Sequence, residues 1–277
     1  MKVIRGRKAL VTGAASGIGR AIALALAREG ADLYLVDIDQ AKLEDAAREA
    51  RSHGVEVITA ICDLAKPDQI GAMVRTMLST WGNLHILVNN AGIAYRGHMH
   101  LMNDDLWSRM LAINMLAPMQ LVRELLPALM AADDAHIVNM ASALGLFPGR
   151  KTTAYQATKF ALVGFTKALR AEYFCPTFAV TAMCPGFVRT TMIEDYPTGD
   201  PEKQPKQPPW WITTTPEKVA AATIRAIRRR PAVVIITPLA RLLWFFERLS
   251  PRFMDWLFRE GWRRRGKVQI PLRPAGR

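Results

Sequence analysis

The stretch KALVTGAASGIGRAIALALAREGADLYLVD, residues 8–37, decides the fold. KALVTG (8–13) reads as a buried strand, GRAIALALAREG (19–30) as a helix ending at a glycine, and DLYLVD (32–37) as a second strand. The same alternation runs on. AKLEDAAREARSHG is a second helix, VEVITAICD (55–63) a third strand, and PDQIGAMVRTMLSTWG another helix. LHILVNNAG (84–92) is a strand, and one long helix is expected from Asp104 to Met130. HIVNMAS (136–142), a helix from Tyr155 to about Tyr173, FAVTAMCPG (178–186) and a last strand PAVVIIT (231–237) complete the rhythm. Short buried strands alternating with amphipathic helices imply an α/β protein: a doubly wound parallel sheet with helices on both faces, three layers in all. One domain is expected over 1–238, followed by a basic helical extension over 239–277.

Composition agrees. Half of the 277 residues are apolar, enough for a sizeable core. Cys62, Cys175 and Cys184 are too far apart for a disulfide framework or a metal cluster, and fit a reducing, cytoplasmic setting. The N-terminal apolar run is too short for a signal peptide. The net charge of +13 is concentrated late in the chain. Residues 225–277 hold 14 basic against 3 acidic side chains, leaving 23 against 21 before them. Without zinc-finger spacing or an RNA-binding signature, that basic end does not point to nucleic acid.

Between the first strand and helix, TGAASGIG (12–19) has the spacing of a pyrophosphate cradle. Gly13, Gly17 and Gly19 permit a tight turn and close backbone approach, while Ser16 and Ile18 sit among them. The helix that follows offers unpaired N–H groups and a positive dipole end. Asp37, 18 residues beyond Gly19, ends the second strand. Its carboxylate suits the hydroxyls of an adenosine ribose and would repel a 2′-phosphate. Ile38 rather than a base follows it, so NAD is expected in preference to NADP. Asp63, beside Leu64, is either an acceptor for the adenine amino group or a helix-entry or turn aspartate. In NNAG (89–92), Asn90 and Ala91 end the fourth strand, and Gly92 lets the backbone pass close to a ligand.

YQATK places Tyr155 and Lys159 one helical turn apart. The strand before it delivers Ser142 to the same edge of the sheet. A phenol, with a reference pKa of about 10, is a poor base near neutrality. A neighbouring ammonium and the positive charge of an oxidised nicotinamide would stabilise phenolate. The serine hydroxyl can orient a substrate oxygen. Together they suit transfer of a hydride and a proton between an alcohol and a nicotinamide cofactor.

The order TGAASGIG, NNAG, Asn114, Ser142, YQATK and PG (185–186) resembles the short-chain dehydrogenase/reductase family over about residues 5–192. The resemblance implies a Rossmann-type sheet of about seven strands, with Tyr155 as general acid/base and Lys159 lowering its pKa and holding the ribose. It also implies that Ser142 positions the reacting oxygen and that Asn114 supports a water-linked proton relay through Lys159. The segment from Pro185 and Gly186 would close over the nicotinamide, with Val188 and Thr190 near its carboxamide. A homodimer or homotetramer is implied too.

The substrate loop is expected at about 190–215, where PTGDPEKQPKQPP (197–209) carries five prolines. Leu144, Phe147, Met192, Trp210 and Trp211 would make an apolar pocket, with no fixed charge evident against a carboxylate or phosphate. A lipophilic alcohol and its ketone or aldehyde follow as the expected substrates. An NADP-linked oxoacyl or xenobiotic carbonyl reductase and a nucleotide-sensing or scaffold protein are the rival readings. In the extension, Pro251 divides two short amphipathic helices, about 239–249 and 252–260. They are expected either to pack on the body or a partner subunit and cap the pocket, or to lie on an anionic membrane surface through residues 239–267.

Overall fold

A computed structural model describes residues 1–190, 209, 212–252, 255, 256 and 259. Its strands are β1 (Lys8–Thr12), β2 (Asp32–Asp37), β3 (Val57–Ile61), β4 (Ile86–Asn89), β5 (Ala135–Met140), β6 (Phe178–Cys184), β7 (Phe187–Val188), β8 (Thr213–Thr214) and β9 (Val233–Ile235). Seven of them form one parallel sheet in the order β3-β2-β1-β4-β5-β6-β9. The two-residue strands β7 and β8 pair separately, a feature absent from the sequence reading.

The helices are α1 (Gly17–Arg28), α2 (Gln40–Arg51), α3 (Pro67–Trp81), α4 (Asp104–Leu111), α5 (Ala117–Ala131), α6 (Thr153–Glu172), α7 (Pro216–Arg229) and α8 (Pro238–Leu249). Successive strand residues face opposite ways, so β1 sends Ala9 and Val11 to one core and Leu10 to the other. The first core is closed by Ile22 and Leu26 of α1, Leu43 of α2 and Ile227 of α7. The second is closed by Met77 of α3, Leu125 of α5 and Leu169 of α6. This two-sided burial makes the strands apolar almost throughout.

Two expectations are corrected. The helix expected without interruption from Asp104 to Met130 is broken by a π-turn, Ala112–Leu116, between α4 and α5. α7 is additional to the elements read from the sequence, although Thr215 caps its start and Pro216 occupies the first turn. Of the extension, α8 matches the first expected helix, while most of 252–260 lies outside the described residues.

Candidate active site

Strand order reverses between β1 and β4, so the loops leaving their carboxyl ends diverge and open a crevice. A cavity of about 570 Å³ occupies it. One end is built by the β1–α1 turn. Gly13 has φ +66°, and a Cβ there would lie 2.9 Å from Ala91 Cα. A Cβ on Gly19 would fall 1.9 Å from the Gly13 carbonyl oxygen. The turn is therefore packed too tightly for any side chain at these positions. Asn90 fastens it to β4, its Nδ2 donating to the Thr12 carbonyl at 3.0 Å, while the Asn90 and Ala91 N–H groups donate to Thr12 Oγ1. α1 starts without a side-chain cap or an acidic residue in its first turn, which leaves its N-terminus open to an anion.

Asp37 is held by the N–H groups of Ala15 at 2.9 Å, Ile38 at 2.7 Å and Asp39 at 3.2 Å. Those three bonds leave about one of the carboxylate's four acceptor positions for a ligand. Ile38 is exposed beside it on the cavity wall. Ahead of α3, whose N-cap is Lys66, Asp63 holds a turn. Its oxygens accept from the Ala65 N–H at 3.0 Å and from Arg109 at 3.1 and 3.2 Å. It still lines the cavity, as do Ser16, Gly17, Ile18, Leu64, Asn90, Ala91 and Gly92. Pro185, Gly186, Val188 and Thr190 meet the cavity from the β6 side, Thr190 closing to 3.3 Å of a Cβ built on Gly17.

Further in, Tyr155 stands in the first turn of α6 and shares the cavity wall with Ser142, whose side chain favours the phenolate. Lys159 Nζ lies 5.6 Å from the Tyr155 ring centre and donates to the Met140 carbonyl at 2.9 Å. Burial pushes the phenol up to about 12 and draws the ammonium down to about 8. Gly92 makes the crowding possible, since a Cβ there would stand 3.1 Å from Asn114 Oδ1 and 3.5 Å from Lys159 Nζ. Asn114 is buried within the π-turn. Its carboxamide accepts from the Ile93 N–H and donates to the Ile93 carbonyl, both at 2.8 Å, and reaches Thr158 at 3.2 Å. That side chain is occupied in bracing the loop after β4 against α6.

The outer cavity wall includes the expected Leu144 and Phe147. Met192, Trp210 and Trp211 lie outside the described residues. The sequence reading missed Tyr95, Ile113, Ile212, Leu239, Ala240 and Leu243, all of which line the cavity. The last three come from α8, so the described start of the extension forms part of the cavity wall. It also missed Arg96 and Arg150, which place fixed charge on a wall expected to carry none.

A glycine turn before an uncapped helix start, Tyr155 beside Lys159 further in and apolar residues beyond are what an α/β oxidoreductase that uses a dinucleotide requires. Known proteins carry the assignment further. Residues 7–200 match the family model of short chain dehydrogenases. Estradiol 17-beta-dehydrogenase 11 of Rattus norvegicus is 31% identical over 263 residues, covering 93% of this chain and 85% of that protein. A short-chain dehydrogenase/reductase from Burkholderia phymatum, solved in complex with NAD, superposes with a TM-score of 0.79 at 25% identity, covering 99% of this chain and all of its own. A metagenomic short-chain oxidoreductase in complex with NADP gives 0.72 at 30% identity, covering 84% and 98%. The chain belongs to the short-chain dehydrogenase/reductase family, and its cofactor is a nicotinamide dinucleotide.

Proposed function

We propose that the protein interconverts lipophilic alcohols and their ketones or aldehydes, with NAD preferred, through Tyr155, Lys159 and Ser142 positioned by Asn114. The observation that carries this reading is the grouping of Tyr155 with Ser142 and the buried Lys159, whose Nζ lies 5.6 Å from the phenol ring centre, on the wall of a cavity whose outer part is apolar. A relative whose name specifies a steroid alcohol, and which is matched over 93% of this chain, supports a bulky apolar substrate. The oxidised nicotinamide, when bound, supplies the hydride acceptor and a positive charge. Ser142 then holds the substrate hydroxyl, Tyr155 takes its proton, and Lys159 stabilises the phenolate. Asn114 keeps Lys159 and the loop after β4 in register. Turnover of a panel of lipophilic alcohols with NAD, exceeding that of short alcohols in kcat/KM, tests the assignment; equal values for both would defeat the lipophilic reading.

Asp37 supplies the NAD preference. Two charges at 4 Å interact by about 4 kcal/mol at an intermediate dielectric, and partial screening reduces this. Asp37→Ser combined with Ile38→Arg is therefore expected to move the NAD/NADP ratio of kcat/KM about a hundredfold towards NADP, some 2.7 kcal/mol. An unchanged ratio, or a natural preference for NADP, would overturn the assignment to Asp37.

α8 has a second face. At about 100° per residue, Leu242, Phe245 and Leu249 fall within about 60° of arc, opposite Ala240, Leu243 and Trp244, which pack on the body. These three side chains are exposed, and Arg241, Arg248 and Arg252 are exposed nearby. No described helix is long and apolar enough to cross a membrane. The arrangement supports attachment in the plane of an anionic lipid surface, each basic residue adding about 1 kcal/mol. Co-sedimentation with anionic vesicles at low salt is expected, and recovery of all protein in the supernatant would refute it.

A further inference from the structure

Arg96 and Arg150 stand on the cavity wall, both exposed, and neither is ion-paired among the described residues. Arg109, on the same wall, is by contrast neutralised by its two bonds to Asp63. The loops that carry the two unpaired arginines are fastened together. The Gly97 N–H donates to the Lys151 carbonyl at 2.8 Å, and the Tyr95 hydroxyl donates to the His98 carbonyl at 3.3 Å. Gln156, buried in α6, accepts from the Gly149 N–H at 2.7 Å and donates to the Gly149 carbonyl at 2.8 Å and to Thr152 Oγ1 at 2.7 Å. Lys151 and His98 add to the same rim. His98 is held below the usual histidine range by burial first, then by Lys151, His100 and Arg150, so every charge acting on it is positive.

Like charges gathered on hydrogen-bonded loops repel one another, and among the described residues no carboxylate pairs with either arginine. An anion arriving there gains from both guanidinium groups, whose planar forks match carboxylate and phosphate oxygens. The same loop that carries Arg150 turns Leu144 and Phe147 into the cavity, so the charged mouth and the apolar chamber are continuous. We propose that the cavity takes an amphipathic substrate, an apolar chain or ring system bearing the reacting alcohol or carbonyl, whose far end is a carboxylate or phosphate held by Arg96 and Arg150. This rests on the lipophilic-substrate reading and specifies the polar end that reading leaves open.

Binding tests it without requiring turnover. The full-length protein is saturated with NADH, which fills the cofactor's place, and titrated calorimetrically with decanoate, decyl phosphate and 1-decanol at low salt. At least one anionic probe is expected to bind about tenfold more tightly than decanol, about 1.4 kcal/mol. The stronger of the two identifies the headgroup. The advantage should shrink at about 0.5 M salt, where charges are screened within a few ångströms. It should vanish in Arg96→Gln/Arg150→Gln and largely return in Arg96→Lys/Arg150→Lys. Decanol binding as tightly as both anions would sink the inference alone, as would an advantage that survives the glutamine pair. Failure of all three probes would remove the lipophilic chamber and the anionic mouth together.

Discussion

Tyr155→Phe is expected to lower kcat for alcohol oxidation about 10³-fold while leaving NADH affinity within about threefold, the middle of the range by which a positioned acid/base group accelerates reactions. That loss corresponds to about 4 kcal/mol of barrier. The substitution removes one hydroxyl, so the ring keeps its packing beside Lys159 and the cavity keeps its shape. A variant retaining a tenth or more of the wild-type kcat would mean that another group moves the proton. The pH profile supplies the sign. In the cofactor-free protein burial sets the phenol near 12, whereas the Lys159 ammonium sits near 8. Tyr155 and Lys159 hold two protons between them at low pH, and the first of these leaves near pH 8. Oxidation needs the pair one proton short, because Tyr155 must receive the substrate's proton. Its kcat/KM should accordingly rise with pH and level off at about pH 8. Reduction needs the full complement of protons and should decline over the same interval. Tyr155→Phe should flatten both limbs.

Much of this site is legible in the sequence because its determinants are local. The strand, glycine turn and helix of 8–30 follow from an apolar run meeting three glycines, and Asp37 is fixed by ending the next strand. Tyr155 and Lys159 share a helical turn whatever else the chain does. The break at Ala112–Leu116 is different. It sits where Asn114 bonds Ile93 and Thr158, groups that only the folded protein brings near. Periodicity alone carries the helix straight through. Arg96 and Arg150 are likewise unremarkable as letters, each an exposed base in a loop. They acquire meaning when Gly97 bonds Lys151 and the two loops become one rim. For α8 the amphipathic pattern is visible, but which apolar face turns towards the cavity depends on where β9 ends. α7 was legible and overlooked: Thr215, Pro216 and Glu217 form an ordinary helix start.

The steric argument at Gly19 yields the other large effect. Gly19→Ala adds one methyl, yet its nearest neighbours would be the Gly13 carbonyl oxygen at 1.9 Å, Asn90 Nδ2 at 2.5 Å and the Gly13 carbonyl carbon at 2.7 Å. Ordinary carbon contacts lie at about 3.5–4.0 Å. The first and last of these obstacles are backbone atoms at the end of β1, and Asn90 is tied to that same backbone. They have no rotamer to change. Relief requires the first turn of α1 to withdraw by more than 1 Å, which breaks the alignment of its N–H groups with the pyrophosphate. NADH affinity is expected to fall at least about a hundredfold, some 2.7 kcal/mol, with a stability loss of about 1–3 kcal/mol from overpacking. Gly54→Ala separates the two effects. Gly54 has φ +76° and nothing within 4 Å of a built Cβ, so the added methyl there meets only left-handed backbone strain. That strain costs about 1–2 kcal/mol and should leave NADH binding unchanged. Equal NADH affinities in the Gly19→Ala and Gly54→Ala proteins would show that the β1–α1 turn is not the cofactor's cradle.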